Sequence, residues 1–150
     1  MSTPRQTDDD PGYAKLRAKF SILAGRELTV GIYEGEIATY AAANEFGTEH
    51  IPARPFFSTA MDQNGPAHAA LLERQLGRVI ASGANPDAAL FALGVKVRSD
   101  VMRSIRDWTT PPNAPSTVER KGENNPLVDK GAAGMMGAVN FKVGTPGSEG

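Results

Sequence analysis

No cysteine occurs among the 150 residues, which removes disulfide staples, thiolate zinc sites and cysteine nucleophiles together. Stability must then come from packing, and a chain of this length can bury roughly two-thirds of its unfolded surface, enough for one core. Charge of one sign is lacking too. Sixteen basic residues against seventeen acidic ones leave a formal net charge of −1, so there is no global pull toward nucleic acid or anionic lipid, although local patches can form. No window approaches the roughly 18 apolar residues of a membrane span, and the polar, acidic residues 1–11 hold no signal-peptide core. A chain made and used in the cytoplasm is expected. There is no Gly-x-x-x-x-Gly-Lys-Ser/Thr loop and no Gly-x-Ser-x-Gly elbow, and neither of the two histidines has a telling partner. Nucleotide hydrolysis and a serine triad therefore lack support.

What is present reads as one small α+β domain over residues 13–143, with an arm at 1–12 and a tail at 144–150. Both ends are expected to be flexible, since the arm is rich in Asp, Thr and Pro and has no apolar period. Tyr13, Leu16, Phe20 and Leu23 share one helical face, and Gly25 stops that helix. Leu28, Val30 and Ile32 alternate with Thr29 and Gly31 as a half-buried strand, after which a tight turn through Gly35 is expected. The alanine-rich run 37–46 favours a short helix. Leu72, Leu76, Val79 and Ile80 line a helix over 66–80, with Gly65-Pro66 as its start and Gly83 as its stop. Asn85-Pro86-Asp87 offers an N-cap, a first-turn proline and a carboxylate that complements the helix dipole; Leu90, Leu93, Val97, Val101 and Ile105 then form a long stripe. Trp108 ends that pattern. Pro111, Pro112 and Pro115 predict an extended loop over 109–126, long enough to suggest binding. A short helix within 131–137 and a strand over 139–143 complete a small mixed or antiparallel sheet packed against two or three helices.

Several residues invite chemistry, each with a plainer reading beside it. Pro86-Asp87 followed by Glu119-Arg120-Lys121 mimics the Pro-Asp and Glu-x-Lys elements of Mg²⁺-dependent nucleases, where carboxylates hold the metal and lysine assists the attacking water. In those enzymes the acids converge from adjoining strands, whereas Asp87 reads as a helix first-turn residue. Glu45, Glu49 and His50 could be imagined as metal ligands, but Gly47 interrupts the helix that would align them, and local capping by Glu45 is the plainer account. His68 reads as a surface or half-buried packing residue. Arg54, held between Pro52 and Pro55, is either a rigid donor to a carboxylate at an interface or a solvent-exposed loop arginine. Arg98, Arg103, Arg106, Arg120 and Lys121 form the one basic cluster, a solvated face or, if the protein lines a DNA passage, the DNA-facing set. Phe56, Phe57 and Trp108 read as core or interface anchors, because the basic residues are not interleaved with them as in a base-stacking platform.

The densest stretch is Ala43-Asn44-Glu45-Phe46-Gly47-Thr48, followed by Ile51-Pro52-Ala53-Arg54-Pro55-Phe56-Phe57. Gly47 can end a helix through left-handed backbone, and the two prolines stiffen the peptide and aim Phe56 and Phe57 toward a buried surface. Together with Val30-Gly31-Ile32, the long helix ending near Ile105, Pro111-Pro112, Pro115-Ser116-Thr117 and Asn125-Pro126-Leu127-Val128-Asp129 before Gly131, this segment resembles the phage neck and tail-completion proteins, a group of tail components and virion morphogenesis proteins. The resemblance spans most of residues 27–143. It departs at Lys130, where a threonine is usual, and over 132–136, smaller and richer in glycine than the group's apolar helix.

By that resemblance the chain would be a structural component of a tailed-phage virion, acting at the head-tail joint or tail end after assembly in the host cytoplasm, with no catalysis and no cofactor. It implies a homo-oligomeric ring, of six subunits to match a tail or twelve to match a portal, docked on neighbouring connector and tail-tube or terminator proteins, with no membrane partner and with packaged DNA as a candidate contact. Glu45, Phe46, Arg54, Pro55, Phe56 and Phe57 are the expected interface, joined by Trp108, Pro111, Pro112 and Asp129. Arg54→Ala or Phe56→Asp would then block head-tail joining. The alternatives are a Mg²⁺-dependent nuclease and an assembly accessory absent from the particle.

Overall fold

The computed structural model describes residues 11–122, 124–128 and 134–147, and it is an α+β fold: helices around a two-stranded antiparallel sheet. The element order is α1 (Pro11–Ala24), β1 (Glu27–Ile32), α2 (Gly35–Phe46), α3 (Phe56–Ser82), α4 (Pro86–Asp107), α5 (Pro115–Lys121), α6 (Met135–Ala138) and β2 (Val139–Gly144). Most of the arm, the last residues of the tail and residues 129–133, including Asp129 and Lys130, lie outside the described residues, as do the side chains of Tyr13, Leu16 and Phe20.

The centre of the molecule is α4. Asn85 accepts a hydrogen bond from the Asp87 amide at 2.9 Å and Pro86 takes the first helical position, where its missing N–H costs nothing. Val97, Val101 and Ile105 are buried along its stripe, while Leu90 and Leu93 are half-buried. One face of α4 meets α3 and another meets the sheet. In the sheet, Leu28, Val30 and Ile32 pair with Val143, Phe141 and Val139. Since side chains alternate along a strand, these six share one face. Phe141 lies so close over Gly94 that a Cβ there would approach its ring to 2.3 Å, so the bare helix backbone is what lets the strand settle. Phe91 completes the contact edge-on, its ring centroid 5.1 Å from that of Phe141.

Three expectations need correction. Gly35 opens α2 instead of forming a turn, and the chain bends just before it at Glu34. The helix expected from Pro66 begins at Phe56 and runs through Pro66. That proline is exposed, so the carbonyl it leaves without an amide, on the exposed Asp62, is free to meet water. The proline-rich stretch is extended only as far as Ala114, because Pro115 starts α5 from a position that needs no N–H, and Gly122 ends it in left-handed conformation.

Candidate functional site

The segment 43–57 folds into a corner between α2 and α3. Gly47 closes α2 at φ 77°, and a Cβ there would meet the Ala53 nitrogen at 2.9 Å, so the chain can double back only at a glycine. Thr48 steadies the reversal: its hydroxyl accepts from the His50 and Ile51 amides, and its own amide donates to the Ile51 carbonyl at 2.8 Å. The returning segment docks through the Arg54 amide, which donates to the Asn44 carbonyl at 2.6 Å.

Glu45 performs the local capping expected of it. α3 begins after Pro55 without a capping side chain of its own, leaving first-turn amides in need of acceptors. The buried carboxylate of Glu45 supplies them, accepting from the Phe57 amide at 2.8 Å, the Ser58 amide at 3.0 Å and the Ser58 hydroxyl. A negative group at a helix N-terminus also opposes the helix dipole favourably. Glu45→Ala should lower unfolding stability by about 2 kcal/mol, the range for charged hydrogen bonds, and Glu45→Gln by less. Urea midpoints at unchanged slope would show it; an alanine variant as stable as wild type would mean that water caps α3 equally well.

Arg54 is neither a solvent-exposed loop residue nor, in its main bonds, a donor to an interface carboxylate. It is 6% exposed, with Nε donating to the Pro111 carbonyl at 2.9 Å and Nη2 to the Pro112 carbonyl at 3.1 Å. The guanidinium fork thus clips the proline-rich segment onto the corner, a rigid bidentate use that lysine could not reproduce. Pro111 is half-buried, Pro112 exposed, and Trp108 packs partly against the core while its indole N–H donates to the Thr110 carbonyl at 2.7 Å.

The aromatic residues of the corner separate sharply. Phe56 is 2% exposed and belongs to the core with Ala41, Ala60, Val97, Val101 and Ile105, its carbonyl also accepting from the Ser104 hydroxyl at 2.7 Å. Of its two readings, core or interface anchor, the burial matches the core one, and Phe56 reaches the surface only among the lining of the groove described next. Phe57 is half-buried against that core. Phe46 is 79% exposed, beside an open, mainly apolar groove of about 290 Å³ lined by Ile32, Ala38, Ala42, Phe56 and Phe57 among others.

The basic cluster does not act as a unit. Arg98 donates to the Val139 carbonyl at 2.7 Å and so ties α4 to the start of β2. Arg106 forks onto its neighbour Asp107, raising its own pKa and lowering that of the carboxyl. Arg103 lies 3.6 Å from Asp100 and is well exposed. Arg120 and Lys121 sit apart on α5, at a second and more polar cavity of about 570 Å³ that Arg54 also lines.

His68 is the residue the sequence misplaced. It is buried, with Nε2 2.8 Å from Asp100 Oδ2, and Asp100 also accepts from Lys96. Burial pushes the Asp100 carboxyl up, but the hydrogen bonds from Lys96 and His68 outweigh it and leave the pKa lowered. His68 Nδ1 has no partner among the described residues. Asp87, the carboxylate of the nuclease-like pattern, is gripped at both oxygens by Arg26, at 2.8 and 2.7 Å. Among the described residues no three His, Asp or Glu side chains gather closely enough to hold a metal ion, and no helix is long and apolar enough to cross a membrane.

Fold and site define a small α+β protein with a carboxylate-capped helix, an arginine clip and, at the corner, a projecting Phe46. Compared with known proteins, the chain matches no family model, no curated protein and no solved structure.

Proposed function

We propose that the protein is a structural component of a tailed-phage virion, built into a ring at the head-tail joint or tail end. The observation that carries this reading is Phe46: a large aromatic side chain, 79% exposed, fixed at the end of α2 by a corner in which Asn44, Glu45, Arg54 and Phe56 are buried. An exposed aromatic on a rigid frame beside an apolar groove has the character of an interface anchor. A neighbouring copy of the chain is the partner that a ring supplies, and a ring closes when the face formed by Phe46 and its groove meets a different face of that copy. The two-stranded sheet supports the same reading, because each strand has an unpaired edge among the described residues and an open edge accepts an added strand.

The test is electron microscopy of lysates from the encoding phage with this gene deleted, complemented by plasmid copies. Wild-type protein should restore infectious particles, while Phe46→Asp should leave full heads separated from tails or tails of wrong length. Intact virions from the deletion alone would remove the structural role; intact virions from Phe46→Asp would remove Phe46 as its anchor.

A further inference from the structure

The polar cavity is formed where the end of α2, the extended segment 50–54 and α5 come together. Its volume of about 570 Å³ lies within the roughly 300–1,000 Å³ typical of small-molecule pockets. Its chemistry is one-sided: Arg54, Arg120 and Lys121 line it with Asn44, Asn113 and Tyr40, and none of the described lining residues is acidic. Such a concentration of cations departs from a chain whose net charge is −1.

Two of these cations hold unused donors. The Arg54 guanidinium is pinned by the proline carbonyls through Nε and Nη2, and among the described residues its Nη1 has no acceptor. Arg120, exposed on the last turn of α5, has neither a hydrogen-bond nor an ion-pair partner among the described residues. Lys121 is steadied by donating to the Val128 carbonyl at 3.3 Å. The rim adds a flat surface, the half-exposed ring of Tyr40, and amide groups on Asn44 and Asn113. Guanidinium donors, one pinned at Arg54 and one free to turn at Arg120, suit a phosphate, whose oxygens accept them in pairs. An aromatic face next to them suits a ring that stacks irrespective of sequence.

We infer that this cavity binds a phosphate-bearing ligand of nucleotide size, its phosphate on Arg120 and Arg54 and its ring against Tyr40. The ligand is either a free nucleotide or one unit of a single-stranded nucleic acid. The site stands on its own geometry and does not depend on the assembly reading.

Calorimetric titration of the full chain with AMP, with adenosine and with a short oligo-dT strand tests it, inorganic phosphate serving as competitor. AMP or the strand should bind, adenosine should bind much more weakly than AMP, and phosphate should displace whichever binds. Binding of AMP identifies a free nucleotide as a sufficient ligand; binding of the strand without AMP identifies the nucleic acid. Arg120→Ala should weaken binding about tenfold or more, the equivalent of one lost charged hydrogen bond, and Arg120→Lys by less. The thermal midpoint of the unliganded Arg120→Ala variant should match wild type, since this exposed side chain holds nothing in place. The inference is overturned if neither probe binds wild type with Kd below about 1 mM, if adenosine binds as tightly as AMP, or if Arg120→Ala binds as wild type does.

Discussion

Asp100→Ala is expected to destabilise the protein by about 3–5 kcal/mol, the cost of removing one member of a buried, hydrogen-bonded ionic group. The carboxylate is fully enclosed, bonded to His68 across the α3–α4 contact and to Lys96 one turn earlier on α4, with Arg103 3.6 Å away. Lys96 is partly exposed and can turn toward water after the substitution. His68 cannot, and with Nδ1 already unpartnered the alanine variant would leave both ring nitrogens unsatisfied in the interior. Chemical denaturation at neutral pH measures the loss, and a value under 1 kcal/mol would show that the ion group contributes specificity without stability.

The same residue sets a pH dependence of definite sign. Its pKa is lowered in the fold from the ordinary 3.8, so the unfolded chain takes up this proton first as pH falls. The stabilisation is therefore complete above 3.8 and drains away as pH drops through the lower folded value. Asp100→Asn keeps a hydrogen-bonding oxygen and lacks the titration. The stability gap between wild type and this variant should hold steady near neutrality and narrow in acid. A gap that stayed constant through the acid limb would mean that other carboxyls govern acid unfolding.

Local chemistry made part of this fold legible. Asn85, Pro86 and Asp87 announce a helix start because cap, missing amide and charge all act within one turn, and the alternation of Leu28, Val30 and Ile32 reports a strand because neighbouring residues must point apart. Pro66 misled for the complementary reason. Its helix is carried past it by Phe56, Ala60 and His68, which are buried on one face, and tertiary burial outweighed a local breaker. Pro115 misleads in the same direction: in a proline-rich stretch it reads as a barrier, although a first-turn proline favours a helix. Glu45 could be read as a cap, but the amides it serves lie 12 and 13 residues ahead.

The site was less legible, because its defining contacts span long separations. Arg54 meets carbonyls 57 and 58 residues away, and His68 meets an aspartate 32 residues away. Two prolines around an arginine signal stiffness without saying what the guanidinium will grip. A histidine at the head of an apolar run gives no sign of the carboxylate opposite until α3 and α4 are packed. The basic residues were grouped by type, and only their bonds separate Arg98 and Arg106, held within the domain, from Arg120 at the cavity.

Phe56→Ala should cost about 3–5 kcal/mol, the usual range for emptying a buried aromatic site, whereas Phe46→Ala should change stability by less than about 0.5 kcal/mol, as exposed substitutions do. The two phenylalanines stand in one short segment, and sequence alone made both candidate anchors. Their environments assign them opposite roles. Phe56 fills the space between α2, α3 and α4, and its removal leaves a cavity that the Glu45 cap and the Ser104 bond to its carbonyl would keep from collapsing. Phe46 touches little within its own domain, so any consequence of its removal must be felt by something outside. Urea unfolding of both variants beside particle complementation separates the cases. Loss of assembly with Phe46→Ala at wild-type stability would place the defect at a contact surface. Loss of assembly with Phe56→Ala alone would follow from unfolding, and an unfolding cost for Phe46→Ala comparable to that of Phe56→Ala would contradict the assignment of Phe46 as a free-standing anchor.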